Sequence, residues 1–183
     1  MHRRAVIWES REWKEPLLAM ARRLESARHA KRLTARRLAQ VERDIFLGCF
    51  SVRKLMHSGP KLTDACRAMR LPVTWYRNVQ RVDSLNWHRI DKLYNLAKGH
   101  GESRDLEFLC GRFIHSFVFV PEEGADGGLA GFYFASDLDR NARLYRIAVE
   151  EIVRAFETVG RDYPADVSGT RDAASGEWIF KAD

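Results

Sequence analysis

Arg104, Phe108, Arg112 and His115 fall on one side of a helix read from Ser103 to Phe117, opposite an apolar stripe of Leu106, Leu109, Cys110, Phe113, Ile114 and Phe117. An arginine and a histidine placed together can break a phosphodiester without a metal. The guanidinium offsets the negative charge that develops at phosphorus and the imidazole carries the proton. The bland account of Arg112 and His115 is a polar helix face. A second chemistry is offered by Trp75, Tyr76, Trp87 and His88, which lie close in sequence to Arg77, Arg81 and Arg89. Flat rings interleaved with guanidinium groups stack on unpaired bases, or else they cover the core beneath a long loop.

Other constellations fail on spacing. Asp137-x-Asp139-x-Asn141 begins like a calcium loop, but Ala142 stands where a glycine is needed and Ala148 where a bidentate glutamate is needed. Asp137 and Asp139 are better read as first-turn residues of a helix, offsetting its positive end. Gly124, Gly127, Gly128 and Gly131 form neither a dinucleotide fingerprint nor a phosphate loop, and belong to a hairpin turn. There is no nucleophile elbow, no HExxH and no zinc spacing among the histidines and the three cysteines, Cys49, Cys66 and Cys110. The expectation is therefore no metal and no cofactor. An odd cysteine count without a CxxC pair fits a reducing cytosol.

The Arg/His face resembles that of the helical ribonucleases of the higher-eukaryote-and-prokaryote nucleotide-binding class, where the two residues are separated by about four to six residues on one helix and face each other across a dimer. Arg112 and His115 have two residues between them, and Arg104 and His115 have ten. The likeness covers one helix and departs from the family's spacing. What it implies is a small metal-independent ribonuclease with Arg112 and His115 as its catalytic pair.

Charge points to a different part of the chain. Residues 1–40 carry eleven Lys or Arg and four Glu, a net of +7, whereas residues 41–183 carry twenty basic and twenty-one acidic side chains. All the excess of this +6 protein is N-terminal, which suggests a polyanionic partner, either nucleic acid or an acidic protein. The apolar residues Met20, Leu24, Ala27, Leu38, Val41, Ile45, Val52 and Leu55 keep the three-and-four spacing of one helical stripe. Lys31 and Thr34 interrupt it, so residues 17–57 are one long helix or two that break near Thr34, and the single helix is preferred. Arg22, Arg28, Arg32, Arg36 and Arg43 then form a basic ridge opposite the stripe, the expected nucleic-acid contact.

These residues need a frame of elements. Gly59 and Pro60 end the long helix, and a short helix follows from Thr63 to Met69. Residues 71–83 read as an aromatic loop, with an edge strand as the alternative. Asp83 or Asn86 caps a helix through Ile90, Leu93, Tyr94 and Ala97, and the helix from Ser103 comes next. Phe117–Val120 and Gly131–Phe134 form a β-hairpin with a mobile glycine-rich turn. A last helix runs from Ser136 or Asp137 to Gly160, and Trp178–Phe180 forms a third strand on the hairpin.

The expected fold is thus α+β and predominantly α-helical, a single domain over 1–183. It divides into a basic helix region 1–57, short helices and a loop in 58–116, a hairpin in 117–135, a helix in 136–160 and a partly ordered tail in 161–183. No apolar run in the sequence is long enough to span a bilayer, and the chain reads as cytoplasmic. With no nucleophile, metal or cofactor motif, a binding or accessory role leads and the ribonuclease is the alternative. The oligomeric state is open, a dimer included.

Overall fold

Thr34 ends what the apolar spacing joins. In the computed structural model, which describes residues 9–183, helices α1 (Arg11–Arg28) and α2 (Ala35–His57) are separate. They run antiparallel, as the pairings Trp13 with Phe50 and Arg23 with Asp44 show. The single helix over 17–57 is corrected to the two-helix alternative. In one continuous helix Lys31 and Thr34 would fall on the buried stripe, which neither can fill; both are exposed, and the Thr34 hydroxyl accepts a hydrogen bond from the Arg37 amide at 3.3 Å and caps α2. Reversing the chain there lets both halves of the stripe bury against each other, and Leu17, Leu24, Ile45, Val52 and Leu55 are fully buried.

The fold is not predominantly helical, since 41% of the described residues are helix and 30% strand. Past α3 (Asp64–Arg67), shorter than the expected 63–69 and capped by Thr63, come β1 (Arg70–Asn78), the single turn α4 (Ile90–Leu93), β2 (Tyr94–Asp105) and α5 (Leu106–Ile114). Strands β3 (Ser116–Glu123), β4 (Leu129–Ser136) and β5 (Arg143–Ala148) lead to α6 (Val149–Arg161), and β6 (Val167–Arg171) and β7 (Trp178–Ala182) close the chain. Strands β1 to β5 form one antiparallel sheet in the order β2-β1-β5-β4-β3. Helices α1, α2, α5 and α6 share a core with one face of this sheet. The β1–β2 connection covers part of the other face with Val82, Trp87 and Ile90, over Tyr94, Val118 and Leu144.

Five expectations give way to this sheet. Residues 71–78 are strand rather than loop, and not an edge strand, because Leu71 and Val73 point into the core and β1 pairs on both sides, while 79–83 remain loop. The helix from Asn86 shrinks to α4, since Tyr94 is buried, with its hydroxyl donating to the Arg140 carbonyl at 2.7 Å, and the following residues pair with β1. Helix α5 starts at Leu106 rather than Ser103: pairing continues to Asp105, whose carboxylate then accepts from the Phe108 amide at 2.8 Å. Residues 137–142 are a turn, with Asp139 held by the Ser136 hydroxyl at 2.7 Å, and β5 precedes α6. Trp178–Phe180 lies in β7, which pairs with β6 and not with the hairpin. The tail is accordingly a two-stranded ribbon.

The β3–β4 hairpin forms as expected, but its turn is docked rather than mobile. Gly127, at φ +86°, and Gly128 lie so close to the α1–α2 connection that a Cβ on them would meet the Lys31 carbonyl oxygen at 2.2 Å and the Arg28 carbonyl oxygen at 2.0 Å. The turn therefore props the connection that sets α1 against α2.

Burial makes the fold sensitive to alkali. It pushes the Cys66 thiol up to about 12 from 9.0 and, with Glu122 nearby, the Tyr133 phenol up to about 12 from 10.0; Tyr94 is raised as well. Above the ordinary values the unfolded chain has lost these protons and the folded chain keeps them. Their stabilisation is complete below pH 9 and declines as pH rises towards 12. The buried Cys49 thiol is raised too, and Lys14, whose ammonium is lowered by burial, opposes this trend as one group against four. The urea midpoint should hold between pH 7 and 8 and fall by pH 10.5, less steeply in Cys66→Ala; an unchanged midpoint at pH 10.5 would refute this. Among the described residues no helix is long and apolar enough to cross a membrane.

Candidate nucleic-acid interface

The turn between α1 and α2 brings arginines from both helices to one cleft of about 380 Å³, lined by Arg23 and Ser26 of α1 and by Thr34, Arg36, Arg37 and Gln40. At its base Asp44 is buried and accepts two hydrogen bonds from Arg23, at 2.8 and 2.7 Å, and one from the Gln40 amide at 2.9 Å. That pairing raises the Arg23 guanidinium further above its ordinary value, the hydrogen bond to Asp44 being the main cause. It also uses up the carboxylate lining the cleft. Arg36 and Arg37 are exposed in the first turn of α2, which holds no acidic residue. The N-terminus of a helix carries about half a positive charge, so two cations there add to a field that acidic side chains usually offset.

Of the five arginines expected to form a ridge, only Arg36 lines this cleft. Arg22 on α1, Arg32 in the connection and Arg43 on α2 are exposed, with Arg43 donating to the Gln40 side-chain oxygen at 2.5 Å. Arg28 is already held between Glu25 at 3.0 Å and Glu150 at 2.9 Å. The break at Thr34 divides the ridge between two helices. Arg23 and Arg37 went unnoticed in the sequence because their place depends on that break. The signal that could have found them is Thr34 read as a helix cap.

Arg112 and His115 have different surroundings. The Arg112 guanidinium lies 2.5 Å from the Asp139 carboxylate and 4.7 Å from the centre of the Phe108 ring, with Arg104 at 4.4 Å from that same ring. His115, exposed as expected, lines a groove between α2 and α5 with Phe50, Arg53, Lys54, His57 and Ile114. Arg112 is not among the residues of that groove. His57 there stands 3.2 Å from Glu107.

The aromatic cluster is split by the pleat of β1. Trp75 faces the helices and Tyr76 the opposite side, where Tyr76 meets Tyr133 with ring centres 6.0 Å apart. Trp87 packs into the second apolar cluster, edge-on to His88. Trp75 keeps two neighbours: the His100 ring stacks on it at 4.3 Å and 17°, and the Arg143 guanidinium lies 4.3 Å from its centre. Neither His100 nor Arg143 is adjacent to Trp75 in sequence; strands β2 and β5 bring them there. No protein-family model, no curated protein and no solved structure matches this chain.

Proposed function

We propose that this protein binds nucleic acid through the phosphate backbone, with the cleft between α1 and α2 as the grip. The observation that carries the reading is the pair Arg36 and Arg37, two exposed guanidinium groups at a helix N-terminus without an acid in the turn, beside a carboxylate already taken by Arg23. A phosphate entering there meets two fixed charges, the helix dipole and the hydroxyl or amide groups of Ser26, Thr34 and Gln40. Such contacts position a backbone and do not read bases, so sequence preference is slight.

Binding of a labelled duplex across a salt series tests this. Each phosphate neutralised contributes roughly −0.7 to −0.9 to the slope of log K against log salt. The double variant Arg36→Gln/Arg37→Gln should bind more weakly and lose about 1.4 to 1.8 of that slope. Arg28→Gln, removing a guanidinium already paired to Glu25 and Glu150, should leave it unchanged. If the double variant keeps both affinity and slope, the cleft is an ordinary solvated surface and the reading fails.

A further inference from the structure

A second surface, on the sheet, has the make-up of a nucleotide site. Trp75 on β1 and His100 on β2 stand directly opposite each other, and Arg143 on β5, diagonal to Trp75, places its guanidinium over the indole from the other side, since β2 and β5 flank β1. β2 is the outermost strand on this side of the sheet, so among the described residues no further strand lies beyond His100. Arg77 stands directly opposite Arg143 in the β1–β5 register. Like charges directly opposed on neighbouring strands destabilise a sheet. By alternation along β1, Arg77 shares the face of Trp75, and Lys98 lies in the stretch of β2 where the pairing with β1 slips.

Arg77 and Lys98 are exposed, and Trp75, His100 and Arg143 are half-buried. None of Arg77, Lys98 and Arg143 has an acidic partner among the described residues. The nearest carboxylate along β2 on this face, Glu102, is held by Arg104 in two hydrogen bonds of 2.7 and 3.1 Å. The surface is thus flat, aromatic and cationic, and its charges are opposed to one another rather than to an acid.

We infer that this end of the sheet binds a nucleotide with an unpaired base, the base extending the Trp75–His100 row and its phosphate lying between Arg77 and Arg143. A planar base adds to a stack of rings and guanidinium groups, and a phosphate converts the opposed Arg77 and Arg143 from mutual repulsion into shared attraction. A base paired inside a duplex has both faces occupied by its neighbours and cannot join the row. The site therefore takes single strands or free mononucleotides and leaves duplexes alone. It uses none of the residues of the α1–α2 cleft, so either surface can fail without the other.

The test measures binding of a labelled short oligoadenylate and of a duplex of equal length to the full chain. The surface variant Arg77→Gln/Arg143→Gln should weaken oligoadenylate binding at least about tenfold and change duplex binding less than about twofold. Trp75→Ala should do the same, with Trp75→Phe restoring most of the loss and thermal melting reporting that each variant is folded. The reference variant Arg36→Gln/Arg37→Gln, if the cleft grips phosphates, loses duplex and strand alike. Unchanged oligoadenylate binding in the Arg77/Arg143 variant overturns the inference, as does an equal loss on strand and duplex, because a phosphate-only contact does not distinguish them. Competition by AMP separates the two sources of the same chemistry: displacement of oligoadenylate marks a free nucleotide as a ligand, and strand-selective loss without displacement marks a subsite within a longer strand.

Discussion

Phe113→Ala is expected to lower the free energy of unfolding by about 3–5 kcal/mol, the range for truncating a fully buried phenylalanine. Phe113 has no solvent exposure and sits where α5 meets the sheet. Its ring stacks on Phe134 at 4.1 Å and meets Phe119 and Phe132 edge-on at 6.2 and 6.1 Å. Alanine removes the ring from all three contacts at once, and β3 and β4 cannot close the gap without breaking their mutual register. In a chain of this size the loss corresponds to roughly 2–4 °C of melting temperature per kcal/mol. Urea unfolding of wild type and variant measures it directly. A difference below about 1.5 kcal/mol would mean that the aromatic cluster relaxes around the cavity and does not hold α5 to the sheet.

Gly128→Ala is the second large effect, expected at about 1–3 kcal/mol because overpacking against backbone has nowhere to relax. The added methyl would sit 2.0 Å from the Arg28 carbonyl oxygen and 3.1 Å from that of Ala30. Something must move, and the candidates are the β3–β4 turn or the α1–α2 connection. Since that connection leads straight to Thr34 and the first turn of α2, the substitution should also weaken polyanion binding at the cleft, although Gly128 is not one of the residues lining it. Gly124→Ala provides the contrast, for its nearest neighbour is the Asp126 side chain, which can swing aside. Melting curves of the two variants that coincide with wild type would show that the turn is not docked.

Much of the helical part was legible. The spacing of Leu24, Val41, Ile45 and Val52 marks buried stripes whether the helix is whole or broken, and each of these residues is buried. Gly59, at φ +81°, ends α2 where the Gly-Pro pair says it should. The hairpin could be read from Phe117–Val120 and Phe132–Phe134, because a run of β-branched and aromatic residues bounded by glycines has few other uses. Strand β2 was not legible. Tyr94-Asn-Leu-Ala-Lys-Gly-His-Gly-Glu-Ser-Arg-Asp has the polar residues and glycines of an edge strand, and such strands lack the apolar alternation that sequence patterns detect. Strand β5 was hidden differently. Leu144, Ile147 and Ala148 have helical spacing with the residues of α6 and were drawn into one element with it.

What the chain determines on its own is local. Apolar periodicity, caps, turn glycines and the N-terminal excess of positive charge are properties of short windows, and they specify which segments bury a face and where the charge lies. The pairing of those segments is decided by contacts between residues far apart. Thr34 becomes a cap only because α1 and α2 can bury their stripes against each other, and that choice moves Arg23 and Arg37 into the cleft and ties Arg28 to Glu150. Asp105 opens α5 only because β2 pairs with β1 to that residue. Trp75, His100 and Arg143 become neighbours through strand register, and a shift of one residue in either ladder would turn them to opposite faces. Charge composition is additive along a sequence; the geometry that concentrates charge at a site is not.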